Sequence, residues 1–340
     1  MKTYLVGGAV RDKLLGRLPR DSDFIVTNGR HEEMMDAGFI PVGKDHAVYL
    51  HPDTKEEYGL ADNLLDDLGR RDLTINAMAL DGENIIDPYQ GQSDIGKKIL
   101  RHVKAENFFF DPLRVYRVAR LASELPDFRI DSSTIELLQK VSKEKAFDDI
   151  TPERILRELD KALRSERPSI FFKTLKQIDS LTVHFPEIEA LNPHDWEHTL
   201  SVLDKINAFN NPAASYGGLF IHTTEDAPES LSARLLVPTN WKKAAEVTQE
   251  CFVNLCKDLT AEDMVNIFYQ IDAYRNSSIV DTLNALLISD DRKSASHFLL
   301  SSYELTRNIS VGDLSTKPTG KELGQAIKRE RIKRLEFFLR

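Results

Sequence analysis

Cysteine is nearly missing from this sequence. Cys251 and Cys256 are the only two in 340 residues. So few thiols exclude a disulfide framework and a cysteine zinc site, and they suit a reducing, cytoplasmic compartment. Long apolar runs are missing too, which argues against a membrane span. The N-terminal MKTYLVGGAVRD turns charged after a brief apolar patch, so it reads as a strand and not as a signal peptide. No internal repeat and no low-complexity tract is present. Positive charge is not in excess either, with a net charge of −9. Alone, that argues weakly against nucleic-acid binding, but a local basic stripe can hide inside it. What remains is an ordinary globular composition with 29% charged residues, long enough for two or more cored domains.

Residues 1 to about 100 read as α/β. Thr3–Val6 is an expected strand, Gly7-Gly8 a turn and Ala9–Leu15 a helix. Asp23–Thr27 is a second strand, because Phe24, Ile25 and Val26 are strand formers. His31–Ala37 reads as a short helix. Val48–His51 and Glu57–Leu60 form a hairpin around Pro52-Asp53. Leu73–Leu80 has helical apolar spacing, and Ile85-Ile86 is a last strand. From residue 111 the pattern is helical, with Thr151-Pro152-Glu153 as a helix start and polar breaks near 190–195, 211–218, 223–229 and 315–320.

The chemistry sits in LVGGAVRDKLLGRLPRDSDFIV, residues 5–26. Asp21 and Asp23 flank Ser22 at a strand start, where residues i and i+2 point to one side. Two carboxylates that close repel each other unless a cation such as Mg²⁺ joins them, and Mg²⁺ takes hard oxygen ligands together with phosphates. Gly7 and Gly8 leave room for a phosphate to reach backbone N–H groups, and Arg11 lies one turn on to pair with it. D-x-D alone is usually a solvated turn, and Gly-Gly alone is usually just a turn. The order strand, Gly-Gly, Arg, helix, D-x-D, strand is far more specific, and it suits two-metal phosphoryl transfer.

This order resembles motif A of the nucleotidyltransferase superfamily that includes DNA polymerase β. Arg70-Arg71-Asp72-Leu73-Thr74-Ile75-Asn76-Ala77 is similar to motif B. Asp87-Pro88-Tyr89, Gly91 and Asp94 with Leu100-Arg101, then Asp111-Pro112-Leu113-Arg114 with Arg117 and Arg120, then Thr151-Pro152-Glu153-Arg154, resemble the elements that follow. Together they resemble class II tRNA CCA-adding enzymes and their poly(A) polymerase relatives, in particular the bacterial multifunctional type. The resemblance covers residues 1–200 strongly and the rest loosely.

The resemblance implies an α+β fold. A polymerase-β-like head with a mixed sheet would span 1–105, a nucleotide-selecting neck 106–165, and a helical, tRNA-binding body and tail 166–340. It implies that Asp21 and Asp23 hold Mg²⁺ and activate the tRNA 3′-hydroxyl. Gly7, Gly8, Arg11 and Arg71 would hold the nucleotide, with Arg117 and Arg120 extending a basic stripe from Arg114. Asp111 and Arg114 match the pair that reads the base edge of CTP or ATP without a nucleic-acid template, a carboxylate accepting from the exocyclic amine and a guanidinium donating to the ring. Asn76 would support local structure. Glu57 is either a third carboxylate near the metals or a plain strand-surface residue.

Three departures stand out. Phe110 occupies the position where the family has glutamate, which bears on base fidelity. Between the Glu57 strand and Arg70-Arg71 lies little more than ADNLLDDLG, where relatives carry a long flexible loop. In the family that loop helps the site switch from C to A, so its loss points to addition of CC. His198 and His222 sit where a metal-dependent HD domain would begin, but Thr223 follows His222 in place of aspartate. A degenerate, tRNA-binding remnant with ordinary histidines is expected there. The tail Lys321–Arg340 has seven Lys or Arg against three Glu, and Lys328, Arg329, Arg331, Lys333 and Arg334 make a basic segment suited to phosphate contacts. Rival readings are a full CCA-adding enzyme, a poly(A) polymerase, and an inactive tRNA-binding protein. Oligomeric state is not legible in the sequence.

Overall fold

The computed structural model describes residues 1–19, 21–42, 48–144, 147, 149–315 and 319–339. They divide into two compact units, Met1–Ile150 with Gln177–Ser180, and Thr151–Lys176 with Leu181–Arg340.

The first unit is built on a seven-stranded mixed sheet. Its strands are β1 (Lys2–Val6), β2 (Asp23–Thr27), β3 (Ile40–Val42), β4 (Val48–Leu50), β5 (Glu57–Leu60), β6 (Ala79–Asp81) and β7 (Asn84–Ile86), in the order β3-β4-β5-β2-β1-β6-β7. Only β2 and β5 pair in parallel; the other neighbours are antiparallel. Side chains alternate across a strand, so the sheet has two apolar faces. Tyr4, Val6 and Ile25 join Leu64 and Leu68 on one. Val26, Met34 and Tyr49 pack on the other, where the Phe24 and Tyr58 rings stack at 4.6 Å. A small parallel pair, β8 (Ile99–Leu100) and β9 (Arg129–Ile130), ties the later helices together.

The structure departs from the sequence reading in several places. Leu73–Leu80 is not a helix: Thr74–Asn76 is one 3-10 turn and Ala79–Asp81 is a strand. Long-range backbone pairing wins over apolar spacing there, since Thr74 N–H donates to Arg101 and Leu73 bridges His102. Ile40–Val42 is an additional edge strand, and Leu64–Gly69 an additional helix capped by Asn63. Of the expected breaks, 211–218 contains the helix Pro212–Gly218, whose first turn is capped by Asn211. The break at 315–320 lies in part outside the described residues. Thr151 does precede a helix with proline at its first position, but its side chain makes no capping bond.

The second unit is helical throughout its described residues. Its core joins Val202, Ile206, Val247, Phe268, Leu283, Leu286 and Leu299. Phe171, Phe172 and Phe185 pack edge-on against one another, the favoured geometry for buried rings. None of the described helices is long and apolar enough to cross a membrane. The unit ends in Lys321–Phe338.

Candidate active site

The first unit brings Gly7, Asp23 and Glu57 to one end of its sheet. Gly7 closes β1 with φ +73°, a backbone conformation that L side chains rarely adopt. A Cβ built there would lie 2.4 Å from Arg71 Nη1. The backbone therefore favours glycine at this position, and a side chain there would also displace the Arg71 guanidinium. Its N–H donates to the Met78 carbonyl.

Arg11 is held at both faces of its guanidinium. Nη1 donates to Asn76 Oδ1 at 2.7 Å, and Nε donates to Asp12 at 2.9 Å. Arg71 is oriented by Asp67, to which Nη2 donates at 3.1 Å. Asn76 then reaches back, its Nδ2 donating to Asp72 Oδ1 at 3.0 Å. Asp72 is 2% exposed and also accepts from Arg117 Nε at 2.8 Å. Burial alone would raise the Asp72 carboxyl, but the Arg117 charge and the bonds from Asn76, Arg117 and the Leu73 N–H outweigh it and hold the carboxyl far below the usual range. Asp67 and Asp72 carry this scaffold. Asp72 belongs to the Arg70-Arg71-Asp72 motif of the sequence, which by itself assigns neither carboxylate a role; their only local signal is acidic residues adjoining Arg70-Arg71.

Asp23 opens β2, register-paired with Val6 on one side and Glu57 on the other. Strand pairing thus sets Asp23 and Glu57 side by side on exposed strand ends. Asp21 lies in a bend before the strand, so the same-side argument from strand alternation does not reach it. Among the described residues, no three His, Cys, Asp or Glu side chains form a metal-holding group. Two exposed carboxylates fit Mg²⁺ nonetheless, since that ion is usually held by one or two carboxylates plus substrate phosphates.

Asp111 and Arg114 join through a backbone bond from the Arg114 N–H to the Asp111 carbonyl. Arg114 Nε is buried without a hydrogen-bond partner. Burial pushes the Arg114 guanidinium down from its usual range, opposed by the Asp72 and Asp111 charges. The preceding helix, Glu106–Phe110, is pinned by Asn107, whose Nδ2 donates to the Gly69 and Arg71 carbonyls at 2.9 and 3.0 Å. Arg120 departs from the expected stripe. It is 8% exposed and bonded to Glu124 at 2.8 Å. The helix Arg114–Glu124 turns that position into its own unit's interior, and only Arg114 and Arg117 remain beside Asp72.

In the second unit the tail helix splits its cations. Arg329 and Lys333 are exposed, Lys328 lies over the Tyr269 ring, and Arg334 bonds Asp313 at 3.2 Å. Arg331 is corrected from phosphate contact to an interior role. It is 8% exposed, with Nε donating to the Thr306 carbonyl, Nη1 to Tyr269 Oη, and its guanidinium 3.4 Å from the Tyr274 ring centroid. His198 and His222 are not isolated. His198 bonds His222 at 2.6 Å and the buried Asp290 at 2.5 Å.

Residues 3–51 and 31–101 match the family described as "Poly A polymerase head domain". Residues 127–191 match "Probable RNA and SrmB- binding site of polymerase A". The chain is 35% identical to the multifunctional CCA protein of Shewanella frigidimarina, covering 92% of this chain and 91% of that protein. It is 34% identical to the CCA-adding enzyme of Coxiella burnetii, covering 100% and 96%. Among solved structures, the Thermotoga maritima CCA-adding enzyme complexed with tRNA superposes with TM-score 0.75 at 21% identity, over 98% of this chain and 87% of that one.

Proposed function

The chain belongs to the CCA-adding enzyme family, and on that premise we propose that it is a tRNA nucleotidyltransferase that adds CC to tRNA 3′ ends from CTP. The observation that carries the CC reading is the connection after β5. The strand ends at Leu60, the helix Leu64–Gly69 follows, and Arg70-Arg71 come next. A compact, Asn63-capped helix occupies the stretch where a mobile lever would lie. Asp111 and Arg114 therefore keep one geometry, the one that reads cytosine. The head, neck, and body with tail assigned from the sequence divide the labour of chemistry, base choice and RNA binding.

In the reaction, the tRNA 3′-hydroxyl attacks the nucleotide α-phosphorus and pyrophosphate leaves. Asp21 and Asp23 would hold Mg²⁺, which when bound would supply charge neutralisation at the phosphates and a lower pKa for the attacking hydroxyl. The protein's own groups supply orientation. Arg11 and Arg71 reach the triphosphate from fixed positions, because Asn76, Asp12 and Asp67 hold their guanidinium groups beforehand. Preset donors of this kind stabilise developing charge without reorganising during the reaction. Asp111 accepts from the exocyclic amine of the base, and Arg114 donates to its ring.

The test is incubation of tRNA lacking its 3′ end with CTP and ATP. Two cytidines and little or no adenosine are expected. A full CCA end at normal efficiency overturns the CC assignment, and long A tails on mixed RNA reassign the enzyme as a poly(A) polymerase.

A further inference from the structure

Phe110 is 90% exposed, although two phenylalanines precede it in the same short helix. Those two rings have places. Phe108 is fully buried against the edge of His102, and Phe109 lies under Lys140 Nζ at 5.6 Å. Phe110 lies outside this packing. The helix that carries it is fixed to the nucleotide site by two bonds from Asn107, one of them to the carbonyl of Arg71. The next residue is Asp111, whose N–H donates to the Asn107 carbonyl. An exposed ring is thus carried on a short helix that is bonded to the Arg71 carbonyl and runs directly into Asp111.

A nucleobase held by its edge at Asp111 and Arg114 leaves its flat faces to be covered. Aromatic side chains cover such faces without regard to sequence, since every base has a π-face. A phenyl ring has no hydrogen-bonding atom and can contribute to base binding only in this way.

We propose that Phe110 is an affinity-determining residue that stacks on the base of the incoming nucleotide. The inference rests on the nucleotidyltransferase reading above. Phe110→Ala and Phe110→Leu then raise KM for CTP by about 5- to 150-fold, the range that one base–aromatic stack supplies. The KM for tRNA stays within about twofold. Phe110→Tyr and Phe110→Trp keep KM for CTP near the parent value, which a purely structural role for an exposed residue would not require. The introduced tryptophan of Phe110→Trp is quenched when CTP is added without RNA, a change absent from the parent protein.

An unchanged KM for CTP in an active Phe110→Ala enzyme overturns the inference. A rise confined to KM for tRNA also overturns it, and puts the ring against the RNA end instead. Failure of the parent enzyme to extend tRNA with CTP removes the activity reading and this inference together.

Discussion

At the scale of the residue, two positions decide whether the site assembles. Gly7 combines a left-handed φ with an Arg71 guanidinium where a Cβ would sit. Gly7→Ala is expected to cost about 1–3 kcal/mol in thermal or denaturant unfolding, and to raise KM for CTP because Arg71 must move. Asp72 is the second. Its carboxyl is depressed in the folded protein, so it stabilises the fold above its unfolded pKa of about 4, and that contribution fades as pH falls toward the folded value. Asp72→Asn is expected to cost roughly 1–3 kcal/mol at neutral pH, and to flatten the acid side of the stability profile measured by denaturant titration between about pH 2 and 5. An unaltered acid limb would refute the account of Asp72. The residues proposed to hold nucleotide form a motif that was legible in sequence, since the chemistry of Gly-Gly, Arg and D-x-D dictates both type and spacing. Their supports were not. Asn107 bonds the Gly69 and Arg71 carbonyls and Asp72 bonds Arg117, all far along the chain, and no local pattern announces such a contact; only Asp67, four residues before Arg71, stands at a spacing the sequence shows.

At the scale of the element, Leu73–Leu80 carries the clearest lesson. Its apolar periodicity suits a helix, yet every buried position from Leu73 to Ala79 is satisfied by a 3-10 turn running into a strand. Every residue from Asp72 to Ala79 is buried, and backbone partners outside the segment, at Arg101 and His102, set its course. The tail helix Lys321–Phe338 makes the complementary point. Its basic residues look alike in sequence, but helical rotation sends Arg331 inward and leaves Arg329 and Lys333 exposed. Arg331→Ala should therefore destabilise the protein by about 1–3 kcal/mol with little specific effect on RNA affinity. Arg329→Ala and Lys333→Ala should leave the melting temperature unchanged, and each should lower the salt dependence of tRNA binding by about one in slope. Equal slopes in all three variants would remove the tail from the RNA-binding surface.

At the scale of the whole molecule, the order of the two units was readable because α/β patterning gives way to helical patterning. The path of the chain between them was not. The first unit recruits Gln177–Ser180 after the chain has entered the second. Gln177 accepts from Gln139 through its carbonyl, and the buried Ser180 bonds Ser142. Nothing in the sequence near 177 signals this return, because the partners lie on the distant Ser132–Lys143 helix.

That return has a consequence for synthesis. Domains on a ribosome fold in the order in which they emerge. Here the first unit's main stretch ends at Ile150, and its last segment, Gln177–Ser180, is translated only behind Thr151–Lys176. A nascent chain stalled just after Ile150 has Ser142 without its partner, and one that has released Ser180 does not. The last segment of the first unit thus emerges only after the second unit has begun to be made.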